Sequence, residues 1–400
     1  MRRGTDTEPD VIALRLDRET VALDRSVFTA LFDASVVHSR APYAHALESS
    51  SIRFADFVDL ARKAQIPYPL FFAPPEVVKA QIEDNTRRLL AGVSKDSFSL
   101  NSRSAVRVRD VELIIKDILR KQSLIKEHDA SLVQNRIVGS LRRSTGSITE
   151  DAGKLRSLLG LDLAELRAPR KKETALEILI DRLEASQVFV SRSQNGFMPQ
   201  SLPRGVAFSG LCVKDKKVPF IFLTSGEPGS NAEPAGRKIF TLVLLTVFVA
   251  VGKFAPVSYD DQTGALIAGR EYELAEELLM PAADVARRDA SSLDAVKAAA
   301  DELKVTPSAF VMRARRLGLI DADGARGSLD ELAAEYAERK KQRARPSRPE
   351  NAVRKYAGAE FTRRMLRQLD GGRISPREFS RSVCLNRLGP SEIPLLRASL

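Results

Sequence analysis

Four hundred residues with 44% hydrophobic and 29% charged content exceed one ordinary core and match soluble globular chains, which predicts two or three domains. A net charge of +11 biases the surface toward polyanions, nucleic acid being the commonest. The two cysteines, Cys212 and Cys384, stand far apart without a C-x-x-C neighbour, which excludes a disulfide framework and a zinc knuckle and favours a reducing cytoplasm.

The first residues turn acidic at once and carry no apolar signal core, so no export is expected. Over 52–64, Ile52, Phe54, Phe57, Val58, Leu60 and Ala61 recur at three-to-four spacing, predicting an amphipathic helix. Pro67, Pro69, Pro74 and Pro75 then punctuate the aromatic stretch Tyr68 to Phe72, so a small helical module ends in a rigid apolar connector. Helical patterns with charged outer faces cover 76–91, 106–127 and 174–186.

Strand character begins at Val188-Phe189-Val190 and recurs over 205–213 and 219–223. Asp215-Lys216-Lys217 separates the last two and predicts a β-hairpin. A Gly/Pro/Ser/Asn loop over 225–236 leads into the apolar run Ile239 to Val251, whose length suits a buried helix better than a membrane span. A second helix over 270–280 is stopped by Pro281. Between 293 and 320 two helices flank Lys304-Val305-Thr306-Pro307, a helix-turn-helix pattern in which Thr306 caps and Pro307 opens the second helix. Charged residues over 339–349 read as a linker or exposed arm, and a last helical piece over 350–370 precedes Gly371-Gly372.

The strand Val218 to Leu223, the loop after it, Arg237-Lys238-Ile239-Phe240-Thr241-Leu242 and, further on, Leu278-Leu279-Met280-Pro281 occur in the order and spacing that frame a zinc-peptidase helix. Phe57 to Lys63 with Pro67 to Phe72, and Arg120-Lys121-Gln122, precede them. In these features the chain resembles the ImmA/IrrE family of metallopeptidase-like proteins over most of its length. The resemblance implies an α+β fold: a zincin-like domain with a small antiparallel sheet and an active-site-type helix, flanked by mainly helical N- and C-terminal regions.

An active member of such a family needs two histidines at i and i+4 to turn both imidazoles toward zinc, with a glutamate between them as general base. Carried over position by position, the first histidine falls on Leu244, the glutamate on Leu245 and the second histidine on Phe248. No His, Glu, Asp or Cys occurs from Pro234 to Tyr259, so no shift of register restores the motif. The family's third ligand falls on Ala268, with Glu271 and Glu273 nearby, and the chain's three histidines, His38, His45 and His128, all precede the domain. No metal, no cofactor and no catalytic residue are expected, and leucine and phenylalanine fill the cleft without leaving a buried polar group unpaired.

Arg313, Arg315 and Arg316 on the second helix of the helix-turn-helix are candidate nucleic-acid contacts, as are Lys340, Lys341, Arg343 and Arg345 in the basic segment. The plainer alternative packs that unit on the domain and leaves the arginines solvated. Glu271, Glu273, Glu276 and Glu277 read as an exposed helix face rather than a metal site, and an edge of the sheet is a candidate for peptide-strand addition. The regions expected are a helical module over 1–90, a helical connector over 91–169, the degenerate domain over 170–285, the helix-turn-helix over 286–338 and a basic linker with C-terminal helices over 339–400. The function expected is that of a cytoplasmic, non-catalytic regulator binding a partner protein or DNA and no membrane, in an antitoxin-like or repressor-controlling role of a bacterial or mobile-element system. The alternative is an active zinc metallopeptidase with unconventional ligands that cleaves a regulatory protein.

Overall fold

The computed structural model describes residues 10–90, 107–202, 208–225, 233–254, 256–257, 269–338 and 347–400. Contacts within the chain divide it into two compact units, 1–91 with 107–116, and 92–106 with 117–400. The described residues form an α+β protein with two small mixed sheets.

The N-terminal unit begins with β1 (Val11–Leu16) and β2 (Glu19–Asp24), an antiparallel pair, followed by α1 (Arg25–Asp33) and α2 (Ala41–Ser49). β3 (Ser51–Arg53) then adds to β1 in parallel, giving the order β2-β1-β3, ahead of α3 (Phe54–Ala64) and α4 (Pro75–Leu90). Asp24 starts α1 by accepting the backbone N–H groups of Ser26 and Val27 at 2.7 and 3.2 Å, which satisfies donors the helix cannot. The core is aromatic: Phe71, in the short turn of helix at Tyr68–Phe72, meets Phe32 and Phe57 at ring separations of 4.9 and 4.8 Å. The expected helical module is therefore corrected to a helix-covered sheet. Its strand signal is the alternation of Ile12 and Leu14, buried, with less buried neighbours.

The helix α5 (Val108–His128) contributes its first turns, through Lys116, to this unit and its remainder to the larger one. The larger unit continues through α6 (Ile148–Leu159), α7 (Leu163–Arg167) and α8 (Lys172–Ala185) to a four-stranded sheet. β4 (Phe189–Arg192), β5 (Gly210–Val213), β6 (Phe220–Leu223) and β7 (Pro256–Val257) lie in the order β4-β6-β5-β7. The hairpin at 214–219 is present, with Val213 opposite Phe220. The expected antiparallel sheet is mixed instead: β6 inserts between β4 and β5, runs antiparallel to β5, and so takes the direction of β4.

Both faces of this sheet are covered, as continuous apolar strands require. Val190, Cys212, Ile221 and Leu223 share a core with α9 (Ala235–Val251). On the other face Phe220 and Phe222 meet Phe361 and Tyr356 of the C-terminal helices at 6.0 and 6.5 Å. Every residue of α9 from Ile239 to Ala250 is buried, the pattern of a core helix rather than a surface one. It stops at Gly252, whose φ of +82° suits glycine, while the Lys253 N–H returns to the Phe248 carbonyl at 2.9 Å. Among the described residues no helix is long and apolar enough to cross a membrane.

The chain then runs through α10 (Arg270–Leu279), α11 (Ala282–Val285), α12 (Leu293–Glu302), α13 (Pro307–Arg316) and α14 (Ala322–Glu338). It ends with α15 (Pro349–Ala357), α16 (Ala359–Asp370), α17 (Pro376–Ser382) and α18 (Ile393–Ala398). The helical piece expected over 350–370 is two helices, broken at Gly358 with φ +96°.

Candidate functional site

The positions that the resemblance assigns to zinc chemistry lie inside the larger unit on α9. Leu244 and Leu245 are fully buried and Phe248 nearly so. Leu245 lies against β5 so closely that a Cβ on Gly210 would stand 2.9 Å from its Cδ1. Phe240 meets Tyr272 of α10 at 6.4 Å, and Leu244 and Phe248 follow Phe240 at four-residue spacing along the same stripe. Burial pushes the Tyr272 hydroxyl up to about 12. The space between α9 and α10 is thus lined with apolar and aromatic side chains. Among the described residues no three His, Cys, Asp or Glu side chains converge on one point, and Ala268 lies outside the described residues.

The carboxylates of α10 are not the exposed face expected of them. Glu271 reaches out to Lys253, but Glu276 and Glu277 are buried. The cause is Arg313 on α13, only 5% exposed, which pairs with Glu277, lies 3.5 Å from Glu276 and donates to the Met280 carbonyl at 3.3 Å. Arg316 approaches Glu276 at 3.4 Å, and the Ala282 N–H donates to Glu277 at 3.2 Å. Burial raises the Glu276 carboxyl above its usual range, with Arg316 and Arg313 pulling the other way. Two carboxylates and two guanidiniums therefore tie α10 to α13, an arrangement that neutralises charge and leaves no acid or base open to a substrate.

The helix-turn-helix is present as α12 and α13, with Thr306 accepting the Ala309 N–H at 3.2 Å and Pro307 in the first turn. Its turn is packed inward. Gly236 of α9 sits so close that a Cβ there would fall 2.7 Å from the Val305 carbonyl carbon, and the Lys172 ammonium donates to the Val305 carbonyl at 2.6 Å. The packed residues are Val305 and the cap Thr306, while Pro307, Ser308 and Ala309 in the first turn of α13 stay partly exposed. The reading of Arg313 as a nucleic-acid contact is corrected, since its guanidinium is internal. Arg315 and Arg316 remain at the surface. Lys340, Lys341, Arg343 and Arg345 lie outside the described residues.

Two polar clusters escaped the sequence reading. In the first, Lys121 is wholly buried, 3.3 Å from Asp117, 3.0 Å from the Tyr356 carbonyl and 4.0 Å above the Tyr356 ring. Burial lowers the Lys121 ammonium, with Asp117 opposing. Burial would raise Asp117, yet Lys121, Arg120 and the Tyr356 hydroxyl, at 2.8 Å, together hold it below the usual carboxylate range. Next to them Gln122 donates to the carbonyls of Val213, Lys214 and Val218 at 3.1 to 3.4 Å, clamping the hairpin. The triplet Arg120-Lys121-Gln122 marked this place, but its polar character gave no sign of burial.

The second cluster closes the sheet at β4. Glu184 accepts the Val190 N–H at 3.3 Å and the Glu360 N–H at 2.9 Å. A Cβ on Gly358 would lie 3.0 Å from the Val190 carbonyl. This edge of the sheet is thus covered by the protein's own C-terminal helices, while β5, one of the strands expected to accept a peptide, pairs with β7 only at Gly210 and Leu211. At the start of α9, Glu233 accepts hydrogen bonds from Ser209 and Thr224 at 3.0 and 3.4 Å, and burial raises its carboxyl against the pull of Arg237. Compared with protein-family models, curated proteins and solved structures, the chain matches none of them.

Proposed function

We propose that this protein is a non-catalytic, metallopeptidase-like regulator that acts by binding a partner protein, in an antitoxin-like or repressor-controlling role of a bacterial or mobile-element system. One observation carries the reading: Leu244, Leu245 and Phe248 stand, buried, where the resemblance calls for two imidazoles and a carboxylate. A zincin-like frame is supported by a core helix under a mixed sheet with a second helix, α10, packed on it. With the chemistry replaced by packing, the frame is left as a binding scaffold. A protein partner is favoured over DNA because the helix-turn-helix turn packs on α9 and Arg313 is engaged internally.

Metal analysis of the purified protein tests the reading. The expected result is substoichiometric zinc and no chelator-sensitive proteolysis, whereas stoichiometric zinc lost together with proteolysis on chelation overturns it in favour of an enzyme with unconventional ligands. Duplex DNA binding at low salt that disappears in the Arg315→Ala, Arg316→Ala double variant overturns the preference for a protein partner.

A further inference from the structure

In the N-terminal sheet, ordered β2-β1-β3, the strand β2 lies at an edge. The Ala13 N–H donates to the Ser50 carbonyl at 2.9 Å, so Ala13 turns its backbone toward β3. Its partner across the hairpin, Ala22, therefore turns its N–H and carbonyl away from β1, and the alternation of an antiparallel pair does the same for Thr20. Thr20 and Ala22 are exposed, and among the described residues nothing bonds to their backbone on that side. Proteins usually blunt such an edge with lysine, proline or a bulge. The strand Glu19-Thr20-Val21-Ala22-Leu23-Asp24 has no lysine or proline, and its register with β1 runs unbroken.

Apolar surface accompanies the open edge. Val21 stands on the core face opposite Leu14 yet is 36% exposed. Beside β2 packs the turn of helix Tyr68–Phe72, whose Tyr68 and Phe72 are 40% and 56% exposed. The strand is also complementary to itself. Set antiparallel to a second β2 about a two-fold axis at Val21, Thr20 pairs with the partner's Ala22 and Ala22 with the partner's Thr20, which satisfies the outward groups of both strands at once. The same register brings Arg18, exposed in the hairpin turn, to the partner's Asp24, whose Oδ1 caps α1 and leaves Oδ2. Opposite charges at both ends and valine against valine at the centre favour a second copy over an unrelated peptide. Such a contact uses the same patch twice, so it closes at two chains and does not propagate.

We propose that the protein forms a two-fold dimer by antiparallel pairing of β2 with β2, which joins the two N-terminal sheets into one of six strands. The contact is separate from α9 and does not depend on the regulator reading above. The test uses the full chain, for which light scattering at high-micromolar concentration is expected to give twice the chain mass. Across the axis the two Val21 residues form a non-hydrogen-bonded pair with Cα atoms about 4.5 Å apart, within disulfide reach. Val21→Cys is therefore expected to cross-link on mild oxidation about tenfold faster than Ala22→Cys, whose two copies lie diagonally across the axis. Wild type, whose Cys212 and Cys384 are buried, is expected not to cross-link. Ala22→Pro removes an outward N–H that no bond among the described residues uses, and Val21→Lys sets two ammonium groups face to face. Both variants are expected to be monomeric with unchanged far-ultraviolet circular dichroism, which distinguishes loss of the contact from loss of the fold. A wild type that stays monomeric and so leaves the edge to an extended peptide, cross-linking that is equal at the two positions or faster at Ala22→Cys, or a dimer that survives both Ala22→Pro and Val21→Lys overturns the proposal.

Discussion

Gly236 of α9 abuts the backbone of Val305 in the turn between α12 and α13, with room for a hydrogen and none for a methyl group: an added Cβ would lie 2.7 Å from the Val305 carbonyl carbon and 2.9 Å from the Thr306 nitrogen. In an unencumbered helix, glycine to alanine stabilises by roughly 0.5–1 kcal/mol. Here the obstacle is backbone, which cannot swing aside, so Gly236→Ala is expected to destabilise by about 1–3 kcal/mol as overpacking does. Equilibrium denaturation decides the sign. A neutral or stabilised variant would mean that the helix-turn-helix is not docked on α9 and is open to another partner.

Arg313 and Arg315, two residues apart on α13, are expected to behave in opposite ways. Arg313→Met leaves Glu277 buried without its paired guanidinium and Glu276 with Arg316 alone, a loss on the order of 3–5 kcal/mol. Arg315→Ala removes a surface side chain and is expected to stay within about 0.5 kcal/mol of wild type. Comparable losses at both positions in urea titrations would contradict the internal role given to Arg313.

The contrast between these arginines shows what the sequence carries and what it withholds. Helix α9 was legible because an unbroken apolar run too short to span a bilayer has its comfortable place in a core, and the helix-turn-helix because Thr306 and Pro307 are local signals acting over one turn. The inward orientation of Arg313 was not legible, since it depends on Glu276 and Glu277, more than thirty residues away, reaching the same point in space. The same holds for Lys121, which reads as a surface lysine until Tyr356 arrives from the far end of the chain. Strands β1 and β2 escape for a different reason: the alternation of Ile12 and Leu14 against outward Ala13 and Arg15 is short, β2 has one buried residue, and pairing across the two-residue turn Asp17-Arg18 is what makes them strands. At the candidate site, the identity of the residues at 244, 245 and 248 was readable directly, while the closure of the β4 edge by Glu184 and Gly358 required the fold.

Leu245 offers a test of packing at the positions that the resemblance assigns to ligands. It is fully buried and lies against Gly210 of β5, so Leu245→Ala opens a cavity that the strand cannot collapse into, with an expected loss of about 2–5 kcal/mol. The measurement is the denaturation midpoint with and without added zinc. Under the packing account zinc changes neither wild type nor variant, because no ligand set is found among the described residues. Stabilisation of the wild type by micromolar zinc would show that the protein holds a metal site and would reopen the peptidase reading.

Glu184 gives the fold a pH dependence whose direction can be fixed. Burial raises its carboxyl from an ordinary 4.5 to about 7, and the N–H groups of Glu360 and Val190 offset this only in part. A carboxyl whose folded value lies above its unfolded value favours the folded state when protonated. The stabilising contribution is therefore complete below about pH 4.5 and is lost as the pH rises through about 7. At about 1.4 kcal/mol for each tenfold change in proton affinity, the loss amounts to roughly 3 kcal/mol at most. Because Glu184 joins β4 to the start of α16, the loosening falls on the C-terminal helices that cover that edge of the sheet. Glu184→Gln cannot ionise, so the stability of wild type relative to this variant is expected to fall between pH 5 and pH 8. Amide exchange at Val190 and Glu360 is expected to accelerate over the same interval in the wild type alone, once the intrinsic pH dependence of exchange is removed. Parallel stability curves for the two proteins would show that Glu184 stays ionised in the folded state, held by its two backbone donors despite its burial.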